Sequence, residues 1–210
     1  MHKVQWQRSV LCLVAAAALA GGTTAGADTQ LSREQALSAL KQESPQARSA
    51  GVQRLGEVGT AADVQPLLAA LRDSDENTRE EAERTIQRIW ARSGDAGIDA
   101  MFARGVREMG EGNLTRALAT FTEIIRLKPE FAEGWNKRAT IFFFVGDYTQ
   151  SMRDCDEVLK RNPNHYGALA GYGQNFFELK NYDRALDYFQ RALNVNPNLI
   201  SIANAMDKLE

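Results

Sequence analysis

The sequence predicts an all-α fold: a right-handed α-solenoid of three helix pairs with a C-terminal capping helix, preceded by a short helical segment. Two observations predict it. Pro129, Pro163 and Pro197 recur 34 residues apart, each after a segment of helical apolar period. A turn-forming pair, Gly-Asn, Gly-Asp or Lys-Asn, lies midway through each unit. A fixed period of this length is typical of stacked helix pairs, because one pair cannot bury its apolar faces alone.

Residues 1–27 have the pattern of a secretory signal peptide. Lys3 and Arg8 precede an apolar run at 10–20, and small residues follow up to Ala27. The apolar run is too short to anchor the chain across a bilayer. We expect cleavage after Ala27 and a periplasmic protein with no membrane span.

Residues 28–93 predict a separate helical segment. Ser32 and Gln35 have the spacing of a helix-capping box. A second motif of apolar, glycine and acidic positions follows at Ala47, Leu55, Gly56, Val64, Pro66, Leu67, Leu68, Leu71, Asp73, Asp75, Arg79 and Ala82. This motif resembles the HEAT-repeat family over about one and a half repeats. Because so short an array cannot stand alone, we expect the segment to pack on the neighbouring repeats as an N-terminal extension.

Residues 94–210 predict one domain, with repeats at 98–131, 132–165 and 166–199 and a capping helix at 198–209. Small residues recur at the eighth and twentieth repeat positions, where two helices must cross closely: Gly105, Ala139, Gly173, Ala117, Ser151 and Ala185. Together with the period and the terminal prolines, this pattern resembles the tetratricopeptide repeat (TPR) family.

Composition excludes several functions. The formal net charge is −2 with mixed signs throughout, whereas a nucleic-acid-binding protein needs a clustered basic face.

Cys155 is the one cysteine left after cleavage, so no internal disulfide forms. We expect Cys155 to be buried and inert, because Phe121 and Phe189 hold the same repeat position. His165 is expected to be a simple turn residue. With no nucleophile–base pair, metal cluster or phosphate loop, we expect neither an enzyme nor a metal or cofactor.

The TPR resemblance implies that the first helix of each pair lines a concave groove. Carried over by repeat position, the candidate groove residues are Phe102, Val106, Met109, Asn136, Lys137, Thr140, Phe143, Ala170, Gln174 and Phe177. This mixture of aromatic, apolar and amide groups suits an extended peptide or a partner helix. Because residues 141–145 are hydrophobic on every side, we expect one of Phe143 and Phe144 to face the groove.

One family ligand fits poorly. Chaperone-binding members hold a C-terminal carboxylate with Lys and Asn on the first helix, Asn on the second, and Lys and Arg on the third. The corresponding positions here are Phe102, Val106, Lys137, Gly167 and Gly171. A carboxylate clamp is therefore not expected.

The leading hypothesis is an exported scaffold that binds a protein or peptide partner in this groove. The alternative is a structural role in an envelope complex, with self-association through the HEAT-like segment or the capping face. Sedimentation of the mature protein separates the two, since a strict monomer at high concentration excludes self-association. The sequence leaves open the partner, the pathway, the oligomeric state, and whether the N-terminal segment itself fills the groove.

Overall fold

The computed structural model describes residues 30–209, and no β-strand occurs among them. Residues Leu31–Glu210 form one compact unit. The helices in chain order are α1 (Arg33–Ala39), α2 (Pro45–Val58), α3 (Val64–Ala70), α4 (Glu76–Trp90), α5 (Ala96–Gly110), α6 (Leu114–Leu127), α7 (Ala132–Phe144), α8 (Tyr148–Arg161), α9 (Tyr166–Glu178), α10 (Tyr182–Val195) and α11 (Ile200–Met206). The all-α fold class, with stacked helix pairs, is confirmed.

The predicted signal peptide lies outside the described residues. Within residues 30–209, no helix has the length and apolar character needed to cross a membrane. The predicted boundary near residue 94 falls at the turn between α4 and α5, and it stays a prediction.

Side-chain caps fix several helix starts. Ser32 Oγ accepts from the Gln35 amide at 3.2 Å, and the Gln35 side chain accepts from the Ser32 amide at 2.7 Å, so the predicted capping box is present. Asp95 accepts from the amides of Gly97 and Ile98 at 2.8 and 3.0 Å. This cap starts α5 at Ala96, ahead of the first predicted repeat position.

Close helix crossings hold the three pairs α5/α6, α7/α8 and α9/α10 together. A Cβ added to Gly105 would lie 2.7 Å from the Phe121 ring, and one added to Gly173 would lie 2.3 Å from the Phe189 ring. Ala139 and Ala185 are buried at the same kind of position in the neighbouring helices. The predicted requirement for small residues at the crossings is therefore confirmed.

Polar side chains at the seventh repeat position pair with acidic residues of α8. The Arg138 guanidinium donates to both oxygens of Asp154 at 2.7 and 2.8 Å and lies over the Trp135 ring. In the next repeat, Tyr172 donates to Asp156 at 2.5 Å. The first pair links α7 and α8 within one repeat, and the second links α8 to α9 of the next repeat.

The N-terminal segment, α1–α4, packs against the last repeat and the cap. Its apolar cluster includes Tyr166 at the start of α9. Arg72 donates to the carbonyls of Asn194 and Val195, and the Asn198 amide donates to the Leu71 carbonyl at 2.8 Å. The chain thus closes back on itself, since the turn after α3 meets the end of α10.

Overpacking a helix crossing tests this packing. Ala185 has no exposed surface, so Ala185→Leu is expected to lower the free energy of unfolding by about 1–3 kcal/mol. Ala119 is exposed on α6, and Ala119→Leu is expected to change stability little because both residues favour helices. Urea unfolding measures both variants. Equal stability of the two would contradict the close crossing.

Candidate functional site

The first helices of the three pairs, α5, α7 and α9, carry all ten candidate groove residues. Two cavities open between these helices. The first, here called the glycine cavity, measures about 210 Å³ and is lined by Asn136, Ala139, Thr140, Phe143, Phe144, Ser151, Cys155, Gly167, Gly171 and Gln174. The second, the tryptophan cavity, measures about 390 Å³ and is lined by Gln87, Trp90, Ala91, Phe102, Val106, Glu133, Asn136, Lys137, His165, Tyr166 and Gly167. The two cavities adjoin, because Asn136 and Gly167 line both.

The glycine cavity exists because α9 lacks side chains where it faces α7. Gly167 and Gly171 lie one helical turn apart on α9 and both line the cavity. An added Cβ at Gly171 would make only an ordinary contact, 3.5 Å from Cys155 Sγ. Phe143 is half-buried and Phe144 is 63% exposed, so the cavity has an aromatic rim.

Cys155 forms part of the floor of the glycine cavity and is buried, as predicted. Burial raises the pKa of its thiol to about 12, and the neighbouring Asp154 and Asp156 add to the effect. The thiol is therefore protonated at neutral pH and is a poor nucleophile. Cys155 therefore contributes to the site as a small buried side chain in the cavity floor.

The tryptophan cavity has one wall from outside the repeats. Trp90, the last residue of α4, stacks on the His165 ring with centroids 4.3 Å apart and meets Tyr166 at 5.0 Å. Gln87 lies one turn earlier on α4 and lines the same cavity. Sequence reasoning missed both residues, because the apolar stripe of α4 shows that the helix packs but not against which partner.

His165 is more than the predicted turn residue, and that interpretation is corrected. It is buried, it caps α9, and it links α4, α7 and α9. Its Nδ1 accepts from the Ala168 amide at 3.0 Å, so the ring proton resides on Nε2. Nε2–H then donates to the Glu133 carboxylate at 2.7 Å.

Glu133 is a buried carboxylate that stays ionised. Burial by itself raises the pKa of Glu133, but the hydrogen bond from His165 and the charge interaction with that ring, the positive charge of Lys137 and the hydrogen bond from Asn136 together lower it to about 2. The Asn136 amide donates to Glu133 at 3.0 Å, and the Lys137 ammonium lies 4.0 Å from the same carboxylate oxygen. Two of the candidate groove residues are therefore positioned by Glu133.

The two cavities carry no net charge. Glu133 and Lys137 are the charged residues of the tryptophan cavity, and they offset each other. The lining of the glycine cavity is uncharged. What the lining offers is amide, hydroxyl and aromatic groups, which suit a ligand without formal charge.

The structure brings together most of the candidate groove residues. Asn136, Thr140, Phe143 and Gln174 line the glycine cavity, and Phe102, Val106, Asn136 and Lys137 line the tryptophan cavity. Phe102 is mostly core, however, since it is only 7% exposed and packs on Phe121 and Phe131 at 5.8 and 5.4 Å.

Three candidate groove residues line neither cavity. Met109 packs against the apolar cluster of the first repeat, and Ala170 is buried in the cluster of the second and third repeats. Phe177 is exposed and packs edge-to-face on Tyr182 at 5.7 Å. Repeat position alone predicted all three as groove residues, because it takes no account of how α5 and α9 pack against their neighbours.

Glu133 is expected to make stability depend on pH. The unfolded chain binds this proton near pH 4.5 and the folded protein only near pH 2, so acidification through that window favours unfolding. The wild type should lose on the order of 3 kcal/mol through this group, whereas Glu133→Gln keeps an acceptor for His165 but has no proton to bind. Urea unfolding of both proteins between these pH values measures the difference. Equal losses of stability in the wild type and Glu133→Gln would contradict the low pKa of Glu133.

Comparison with known proteins identifies similarity to tetratricopeptide repeat proteins. A family model described as tetratricopeptide repeat matches residues 136–198. A TPR repeat-containing protein of Rhizobium etli is 34% identical over 125 residues, which is 56% of this chain and 61% of that protein. Hsp70-Hsp90 organizing protein 1 of Glycine max is 25% identical over 106 residues, which is 48% of this chain and 18% of that protein. The chain thus spans less than two thirds of these relatives.

Two solved structures share the fold. The first TPR of Spaghetti (RPAP3), bound to an HSP90 peptide, has a TM-score of 0.52 at 20% identity and covers 53% of this chain and 89% of that one. The TPR2B domain of yeast Sti1, in complex with pHsp70, has a TM-score of 0.50 at 21% identity and covers 55% and 94%. Together with the family model, these likenesses show that the helical array is similar to tetratricopeptide repeat proteins in sequence and fold.

Proposed function

We propose that this protein is an exported scaffold that binds an extended peptide segment of a partner protein in the groove containing the glycine cavity. The observation that carries the proposal is the open space over Gly167 and Gly171, with Phe143 and Phe144 along its rim and the amides of Asn136 and Gln174 beside it. Bare glycine lets a peptide backbone approach closely. Aromatic side chains at the rim can pack against apolar side chains of the peptide, and side-chain amides can form hydrogen bonds with its backbone.

The two solved relatives support a peptide as the class of ligand, since each is described with an Hsp90 or Hsp70 peptide or partner. This groove differs from a carboxylate clamp in its charge. Phe102 is buried and Lys137 is paired with Glu133. On α9, Gly167 and Gly171 occupy the positions where a clamp has Lys and Arg. The proposed ligand is therefore an internal segment of a chain and not a free C-terminus.

Export belongs to the same proposal. The signal-peptide pattern of residues 1–27 supports a periplasmic location, and the motif in residues 28–93 supports a HEAT-like origin for α1–α4. Cell fractionation followed by N-terminal sequencing tests export, with Asp28 as the expected first residue in the periplasmic fraction. A cytoplasmic protein that retains residues 1–27 would contradict it.

Narrowing the glycine cavity tests the groove without harming the fold. Gly171→Ala adds a methyl group with only an ordinary contact and should raise the free energy of unfolding by about 0.5–1 kcal/mol, because glycine is unfavourable within a helix. Phe144→Asp removes an exposed aromatic group from the rim. Both variants should weaken peptide binding about 10-fold or more, a loss of about 1.4 kcal/mol.

The probe is a peptide selected against the mature protein from a random library displayed between two linkers, then synthesised with acetylated and amidated ends. Fluorescence anisotropy measures its dissociation constant. The controls are Gly110→Ala, where an added Cβ meets nothing within 4 Å, and Leu127→Asp, an exposed site outside both cavities. The proposal is contradicted if the library yields no binder, or if the groove variants and the control variants bind the peptide with equal affinity.

A further inference from the structure

We infer that the binding groove continues beyond the repeats onto helix α4, so that the N-terminal segment contacts the ligand directly. This inference rests on the proposed function, since the ligand is the same uncharged, extended peptide segment. The peptide passes from the glycine cavity into the tryptophan cavity, where Trp90, Gln87 and Tyr166 receive it. The site is thus built from two parts of the chain.

The two cavities form one path. Asn136 on α7 and Gly167 on α9 line both, and Gly167 has no side chain to divide them. Their volumes, about 210 and 390 Å³, together fall within the roughly 300–1,000 Å³ of ordinary ligand sites. Helix α4 forms the far wall of this path through Gln87, Trp90 and the following Ala91.

A buried hydroxyl that is poorly satisfied lies in the wall of the tryptophan cavity. Tyr166 is only 4% exposed, and the Gln87 side chain of α4 lies close enough to interact with its hydroxyl, but no well-aligned hydrogen bond reaches that hydroxyl among residues 30–209. Buried polar groups are almost always fully paired, because a poorly paired one has lost its hydration without full compensation. Tyr166 lines the cavity, so a carbonyl of the bound peptide can accept a hydrogen bond from this hydroxyl.

Helix α4 supplies the complementary groups. The Gln87 side-chain amide donates to Glu83 at 3.3 Å, which leaves its carbonyl oxygen to accept from a peptide N–H. Trp90 is held on one face by stacking against His165, and it lines the cavity as a rigid apolar surface. A hydroxyl donor, an amide acceptor and an indole surface match one peptide unit and an adjacent apolar side chain.

Charge selects against chain ends. Lys137 and Glu133 offset each other at 4.0 Å, and both ring nitrogens of His165 already have partners, the Ala168 amide and Glu133. A free carboxylate or ammonium group in this cavity would lose its hydration without finding an unpaired opposite charge, which costs free energy. An uncharged internal segment meets no such penalty.

The experiment compares two substitutions at the inferred extension with matched controls, using the blocked peptide described above and the mature chain. Tyr166→Phe deletes a hydroxyl that makes no well-aligned hydrogen bond in the free protein, so unfolding stability should change little while affinity falls about 5-fold. Tyr188→Phe makes the same deletion outside both cavities. Gln87→Glu should weaken binding about 10-fold by adding a negative charge, and Gln53→Glu adds the same charge at an exposed site on α2.

The outcomes separate the two proposals. Weakening by Tyr166→Phe and Gln87→Glu, with unchanged affinity for both controls, supports the extension onto α4. If Gly171→Ala weakens binding but the affinities of Tyr166→Phe and Gln87→Glu match the wild type, the groove stands and the extension is overturned. If the library yields no binder, or if Gly171→Ala also leaves affinity unchanged, the proposed function falls and the extension falls with it.

Discussion

The close crossing of paired helices is the constraint on which the rest of this structure depends. Gly105 and Gly173 leave room for the rings of Phe121 and Phe189, so each ring packs directly against the first helix of its repeat. Adjacent pairs then stack with their first helices side by side. That alignment places Asn136 on α7 opposite Gly167 on α9 and creates the groove. The groove is therefore a consequence of how the core is packed.

A second contact joins the N-terminal segment to this array. His165 is fixed by the Ala168 amide, donates to the buried Glu133, and stacks under Trp90. The same residues that hold α4 against the repeats also line the tryptophan cavity. A substitution of His165 or Trp90 would consequently disturb both folding and the shape of the groove, whereas Tyr166→Phe removes one oxygen atom and keeps the ring that packs on Trp90.

The repeat array could be predicted from the sequence because its determinants are local and periodic. Proline spacing, small residues at crossings and turn residues gave the helix pairs and the burial of Cys155. The candidate site was predicted less well. Repeat position placed Ala170 in the groove although α8 and α10 bury it, and no local pattern connected Trp90 with His165. That contact joins residues far apart in sequence through packing, which periodicity does not encode.

The absence of net charge in the groove lining has a consequence for specificity. A clamp that recognises a chain terminus depends on a fixed counter-charge, and here Lys137 is already paired with Glu133, whose pKa of about 2 keeps it ionised at physiological pH. In the proposed function, recognition then comes from shape, from backbone hydrogen bonds and from apolar side chains. Such contacts depend on the peptide sequence only where one of its side chains enters a pocket. The width above Gly167 and Gly171, and the indole of Trp90, would therefore decide which peptide segments the groove accepts.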